Sequence, residues 1–317
     1  MSQTALFIAF NAGVLAVLAI DLGVFNKKAH AFSVKEAATW STVWILLSLG
    51  FAGVIWWQMG TQPALEFVTG YLIEYSLSID NIFVIVLIFS YFRIPDKYQH
   101  RVLFWGIIGA LVMRGGMIAA GAFLIERFHW IIYVFGAFLV FTGIRMATHD
   151  EGDIEPEANP ILRLVRRMIP VTHDYRGQSF FVKESPARGD PVRWMATPLF
   201  VVLVLVETTD LIFAVDSIPA IFAVTRDPFL VYTSNVCAIL GLRSLYFLLA
   251  GVIHKFHYLK LGLAAVLTFV GVKMLLGSVY EIPITTSLLV IGGILGVAVI
   301  ASMLFPKERP GVEDQKQ

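Results

Sequence analysis

Apolar runs of about 20 residues recur along almost the whole chain, and polar stretches between them are mostly short. An α-helix rises about 1.5 Å per residue, so a run of about 20 crosses the hydrocarbon core of a bilayer. The pattern predicts nine spans, at roughly 5–25, 39–58, 64–92, 102–125, 130–147, 197–224, 229–252, 259–279 and 284–305. Pro63, Pro198, Pro228 and Pro283 fit their first turns, where a missing N–H costs nothing. Trp40, Trp44, Trp56, Trp57, Trp105 and Trp130 fall near segment ends, as an aromatic belt would place them. The predicted fold class is all-α, a polytopic membrane protein.

One sizeable polar piece interrupts the pattern, residues 148–196, which is too short for an independent domain. Within it "HDEGDIEPE" (His149 to Glu157) reads as a solvated acidic linker, with weak metal gathering as the alternative. "NPILRLVRRMIPV" sets apolar residues on one helical face and arginines on the other, which suits an interfacial helix against anionic lipid headgroups. "SFFVKESPARGDPVRWM" reads as a small hairpin turning at Pro186 to Pro191.

Composition agrees with the pattern: 57% of residues are hydrophobic and only 15% charged. A soluble domain carries more charge than this. The net charge of +1 says little, because orientation depends on where the cations sit. Lys and Arg crowd the connections after spans one, three, five, seven and nine, whereas the alternate connections hold only Arg127 and Arg226. That asymmetry predicts the N-terminus outside and the C-terminus in the cytoplasm. "MSQTALF" lacks a basic n-region, so the first span is expected to stay rather than be cleaved. The single cysteine, Cys237, excludes a disulfide framework or a thiolate cluster.

The chain also repeats itself. "EYSLSIDN" aligns with "DLIFAVDS", so Glu74 matches Asp210, Asp80 matches Asp216 and Asn81 matches Ser217. Downstream, Arg114 matches Arg243, "RFH" (127–129) matches "KFH" (255–257), and "FTGIRM" matches "FVGVKM". Residues 64–147 therefore recur as 197–279, with residues 1–58 before the first copy and 284–317 after the second. Three spans is an odd number, so the copies are expected to insert with opposite orientation. That is an architecture of secondary transporters, whose site lies at the midplane between the halves.

The repeat carries acids where leucines belong. On insertion scales a carboxylate at the bilayer centre costs about 2.5–3.5 kcal/mol. Glu74, Asp80, Glu207, Asp210 and Asp216 would together cost on the order of 12–17 kcal/mol unless paired, neutralised or metal-bound. Arg114 and Arg243 can offset two of them in this reading, and a cation is the natural partner for the rest. All seven histidines fall in loops or at span ends, which disfavours zinc or copper. Carboxylates with Asn81, Ser217 and backbone carbonyls make an oxygen site, suited to Mn²⁺, Ca²⁺ or Mg²⁺. Acids six apart do not point the same way on a straight helix, so Pro219 is expected to break its span and free the Val215 carbonyl toward the ion. Asp21, near the end of span one, reads either as an accessory ligand or as a snorkelling surface acid.

At "EYSLSIDN" and "ETTDLIFAVDSIPAIFAVTRDPF" the sequence resembles the TerC family of integral membrane proteins, most of all its Alx-type manganese exporters. The likeness includes "GYLIE", "FGAFLVFTGIRM", "SFFVKE" and "TSNVCAILGLRSLYFLLAG" and runs over about residues 30 to 300. The family is grouped with lysine-exporter-like transporters built on inverted three-helix repeats. The resemblance implies Mn²⁺ as a transported substrate, with ligands at Glu74, Asp80, Asn81, Glu207, Asp210, Asp216 and Ser217, and Arg114, Arg243 and Asp21 are expected as accessory or gating groups. The family name refers to tellurium resistance, but five acids should repel an oxyanion.

The expected function is thus manganese(II) export coupled to protons. Its rivals are a Ca²⁺ or other divalent carrier, and an accessory factor that supplies Mn²⁺ to exported proteins beside the secretion machinery. No nucleophile–base pair, phosphate loop or organic-cofactor motif appears, so an enzyme is not expected, and nothing points to nucleic acid.

Overall fold

The computed structural model describes residues 3–20, 33–148, 162–163, 167–172, 174–185, 192–250, 258–277, 279–280 and 282–304. The acidic tract, Asp21, the "KFH" end of the second copy, most of the proposed interfacial helix and the C-terminal tail lie outside these residues.

The helices are α1 (Gln3–Ile20), α2 (Val34–Met59), α3 (Thr61–Tyr91), α4 (Asp96–Arg127), α5 (Ile131–Thr148), α6 (Pro198–Phe222), α7 (Pro228–Leu240), α8 (Leu242–Leu249), α9 (Leu259–Leu276) and α10 (Ile284–Leu304). Among the described residues seven are long and apolar enough to cross a membrane, and α7 with α8 makes an eighth crossing bent by 41°. The shorter apolar helix α1 stands where the first of the nine spans is expected.

Local signals set several ends. Ser33 caps α2 by accepting from the Glu36 N–H at 3.2 Å, the S-x-x-E arrangement of a capping box. Asp227 does the same for α7, accepting from Phe229 N–H at 2.9 Å, with Pro228 in the first turn. A single residue, Gly60, joins α2 to α3 with φ 97°, a left-handed conformation that glycine adopts without a Cβ clash.

The helix pair α5 and α9 shows how the two copies are related. Gly143 of α5 lies against the Ala264 carbonyl and Thr268 of α9, while Gly271 of α9 lies against the Gly136 carbonyl and Val140 of α5. Gly143 and Gly271 are equivalent in the sequence repeat, and Gly136 and Val140 fall opposite Ala264 and Thr268 at the same spacing. The contact therefore maps onto itself when the copies are exchanged, as at a two-fold axis. Moving up α5 from 136 to 143 moves the partner down α9 from 271 to 264, so the helices run antiparallel. Equivalent helices with opposite directions are what an inverted repeat requires.

Pro219 does not break its helix. α6 continues to Phe222, and the Ala223 N–H still bonds back to the Pro219 carbonyl at 3.1 Å. The proline sits in the last turn, so the bond it removes is lost where the helix is about to end. The break lies instead between α7 and α8 at Gly241, where the Ser244 hydroxyl donates to the Gly241 carbonyl at 3.0 Å. A Gly–Ser pair competing with the helical ladder is a common cause of such a kink.

The expected hairpin forms from β1 (Phe181–Glu184) and β2 (Arg193–Ala196), antiparallel with Phe181 opposite Ala196. It is seated at the end of the bundle where α3 turns into α4: Phe181 packs on Phe200 of α6, and the Tyr175 hydroxyl donates to the Phe92 carbonyl at 2.7 Å. Arg176 clamps Glu184 beside it, Nε to Oε1 at 2.6 Å, and holds that exposed carboxyl below its usual range.

Candidate cation site

The polar centre lies half-way along the helices that build it. Asp210 is twelve residues from each end of α6, and Arg114 is thirteen residues from the end of α4 at Arg127. At about 1.5 Å per residue both are about 20 Å from those ends. On α3, Gly70, Glu74, Ser78 and Asn81 follow at intervals of four, four and three, so they form one stripe. All four are buried. A Cβ on Gly70 would lie 2.9 Å from the Ser234 hydroxyl of α7, so glycine there brings the two helices close and aims the stripe inward.

Arg114 draws the two copies together. Its Nη2 donates to Asp210 Oδ1 at 2.7 Å and its Nε to Asp210 Oδ2 at 3.1 Å, a bidentate pair. Its Nη1 donates to Glu74 Oε1 and, at 3.4 Å, to the Ser217 hydroxyl. The Asn81 amide donates to Asp210 Oδ1 at 3.4 Å. Arg114 is 2% exposed, Glu74 0% and Asp210 8%, so none of these charges is relieved by solvent. One guanidinium faces two carboxylates. With both ionised the centre carries a net negative charge in low dielectric, which a proton or a further cation would neutralise.

Several oxygens here lack hydrogen-bond partners: Glu74 Oε2, Asn81 Oδ1 and Ser78 Oγ are buried and unpartnered. An unpaired buried acceptor costs about 1–3 kcal/mol. Carboxylate, carboxamide and hydroxyl oxygens are the donors that hard divalent cations prefer. The residues present therefore fit such an ion by type.

Not all the expected ligands converge. Glu74, Asn81, Asp210 and Ser217 meet at Arg114. Glu207, one turn before Asp210, rests its carboxylate on Gly109 of α4, where a Cβ would overlap it, and its Oε2 is buried without a partner. Asp216 accepts from the Thr142 hydroxyl of α5 at 3.2 Å. Asp80 is half-buried further along α3. Arg243 follows the break at Gly241 and its Nη1 meets His100 Nε2 at 3.1 Å. Among the described residues no three of His, Cys, Asp and Glu stand together as a metal-holding group. Of the five acids, Glu74 and Asp210 thus share one ion pair, while Glu207 rests on Gly109 and Asp216 on Thr142.

Sequence reasoning missed Gly109, Thr142 and Ser78. Gly109 had no signal beyond being a glycine inside a span. Ser78 was legible in principle, one turn from Glu74 on the same face.

Comparison with known proteins places this arrangement in context. The description "Integral membrane protein TerC family" matches residues 59–310. A Myxococcus xanthus protein described as the uncharacterized membrane protein STKORF319 is 52% identical over 310 residues, covering 98% of this chain and 95% of that protein. A protein of Escherichia coli K12 carrying the name membrane-bound redox modulator Alx is 49% identical over 295 residues, 90% of either chain. A Rickettsia bellii membrane protein is 40% identical over 298 residues, covering 94% of this chain and 97% of that protein. No solved structure matches.

Proposed function

The chain belongs to the TerC family of integral membrane proteins, and from that premise we propose that it exports Mn²⁺ across the bacterial inner membrane in exchange for protons. The observation that carries this reading is the Arg114 centre, where equivalent acids of two inverted copies share one guanidinium at mid-helix. Arg114 acts there as a tethered cation. It stabilises Glu74 and Asp210 when no ion is bound, and an arriving dication competes with it for the same oxygens.

Protons compete at those oxygens too. A bound dication needs those oxygens deprotonated, so metal and protons exclude one another there. Such mutual exclusion is the linkage that an exchanger needs. Moving a divalent cation out of a negative interior costs about 4.6 kcal/mol per 100 mV, and the sequence offers no nucleotide motif to supply it. Glu207, Asp216 and Asp80 lie above and below the centre along α3 and α6, and they serve as stations for the ion on its way. In this orientation the hairpin end of the bundle faces the cytoplasm, in keeping with the Lys and Arg asymmetry.

The relatives' name speaks of redox modulation. With one cysteine this chain cannot form an internal dithiol couple, so in our reading any redox effect comes from manganese supply. Flux of Mn²⁺, Ca²⁺, Mg²⁺ and Zn²⁺ into liposomes holding the purified protein alone tests the proposal. Mn²⁺ flux without a partner protein supports a carrier, whereas no flux of any of them sinks it and leaves the accessory role.

A further inference from the structure

We propose that Asn235 of α7 is a direct ligand of the transported cation, giving a carboxamide oxygen to the centre built by Glu74 and Asp210. The inference rests on the reading of that centre as a cation site. Asn235 is 0% exposed, and neither its Oδ1 nor its Nδ2 has a hydrogen-bond partner. Its neighbours in "TSN" are satisfied within the helix: the Thr233 hydroxyl donates to the Phe229 carbonyl at 2.8 Å and Ser234 to the Val231 carbonyl at 3.2 Å. Asn235 alone of the three presents unpaired polar atoms to the interior. An unpaired buried amide is destabilising, and a purely structural position avoids it by carrying leucine.

The register of α7 sets Asn235 on the face toward α4, near the level of the centre. Tyr232 stands against Gly115 of α4, and Ile239 packs with Ile107 and Ala110. Asn235 comes three residues after Tyr232 and four before Ile239, so it shares their face and lies level with the stretch of α4 that ends in Arg114. On its other side the adjacent Ser234 meets Gly70 of α3, one turn before Glu74. The register thus sets Asn235 between α4 and α3, within about a turn of the levels of Arg114 and Glu74, and Glu74 Oε2, like the amide, is buried without a partner.

A carboxamide oxygen has a particular use in an exchanger. It coordinates Mn²⁺, Ca²⁺ or Mg²⁺ as a hard donor, yet it does not take up a proton at physiological pH. It strengthens metal binding without strengthening proton binding, and so shifts the competition at Glu74 and Asp210 toward the metal.

The test is Mn²⁺ titration of the purified full chain in nanodiscs, with free Mn²⁺ read by its electron paramagnetic resonance signal. Wild type, Asn235→Leu, Asn235→Ala, Asn235→Asp and Asp210→Asn are compared, and metal-free Tm is recorded for each. The expected result is at least tenfold weaker binding in the Leu and Ala variants, no fall in metal-free Tm for Leu, and affinity equal to or tighter than wild type for Asp. Saturable binding in wild type that is lost in Asp210→Asn but unchanged in Asn235→Leu or Asn235→Ala overturns the assignment of Asn235 alone. An Asp variant as weak as Ala does the same. No saturable Mn²⁺ binding in wild type overturns the cation site itself, and this inference with it.

Discussion

Glu74 and Asp210 occupy matching places in the two copies of the repeat, and both bind the guanidinium of Arg114. A pair of equivalent acids meeting near a local two-fold axis gives a centre to which each half contributes a carboxylate. The axis is visible independently in the reciprocal packing of Gly143 and Gly271. In the proposed exchange, a site held in this way would be reached by tilting one half against the other.

Replacing Asp210 by Asn removes the bidentate acceptor of Arg114, and replacing Glu74 by Gln removes its second partner. Each substitution is expected to reduce Mn²⁺ transport in proteoliposomes to the protein-free background. Asp153→Asn, in the acidic linker, should leave transport unchanged. Wild-type flux in either buried variant would return that acid to a structural role.

Arg114→Gln strips the counter-charge from two buried carboxylates. Removing one member of a buried ion pair costs about 3–5 kcal/mol, so the metal-free protein should melt well below wild type. Mn²⁺ then meets no tethered competitor, and its addition should raise Tm more in the variant than in wild type. An equal shift in the two proteins would show that Arg114 and the metal do not share oxygens.

Gly271→Leu and Gly143→Leu test the inverted repeat through packing. A Cβ at Gly271 would lie 2.7 Å from the Gly136 carbonyl, and one at Gly143 would lie 2.7 Å from the Ala264 carbonyl. Both obstacles are backbone, which cannot rotate away, and overpacking costs about 1–3 kcal/mol or more. The two variants should lose similar stability in thermal melts, because the contacts are symmetry mates. A large loss in one and none in the other would contradict the two-fold relation.

Single cysteines at His129 and Lys183 should label from opposite faces of the membrane, with Lys183 reached from the cytoplasm. Cys237 is buried, so the native thiol should stay silent. Labelling of both from one side would overturn the proposed orientation.

How much of this was legible beforehand differs between fold and site. Helix existence was written plainly, because runs of 20 apolar residues have few other fates. The acid repeat pointed to Glu74 and Asp210 as mates, and the structure joins them. It did not reveal that one arginine serves both, since side-chain reach across helices leaves no periodic trace. The break was misplaced for a related reason. Proline advertises a kink wherever it stands, but Pro219 falls in a last turn and is tolerated, whereas Gly241 resembles every other glycine in the spans. Only the Ser244 bond to its carbonyl singles it out. Arg243 is the repeat mate of Arg114, and its contact with His100 just past that break left no periodic trace in the sequence.

The central claim is that metal and protons exchange at the Glu74–Asp210 centre, and imposed gradients test it most directly. In proteoliposomes of the purified protein, with equal Mn²⁺ on both sides, a pH difference should drive Mn²⁺ uphill, opposite to the proton flow. In Asp210→Asn that drive should vanish. Mn²⁺ movement that follows only its own electrochemical gradient, indifferent to pH, would contradict the account.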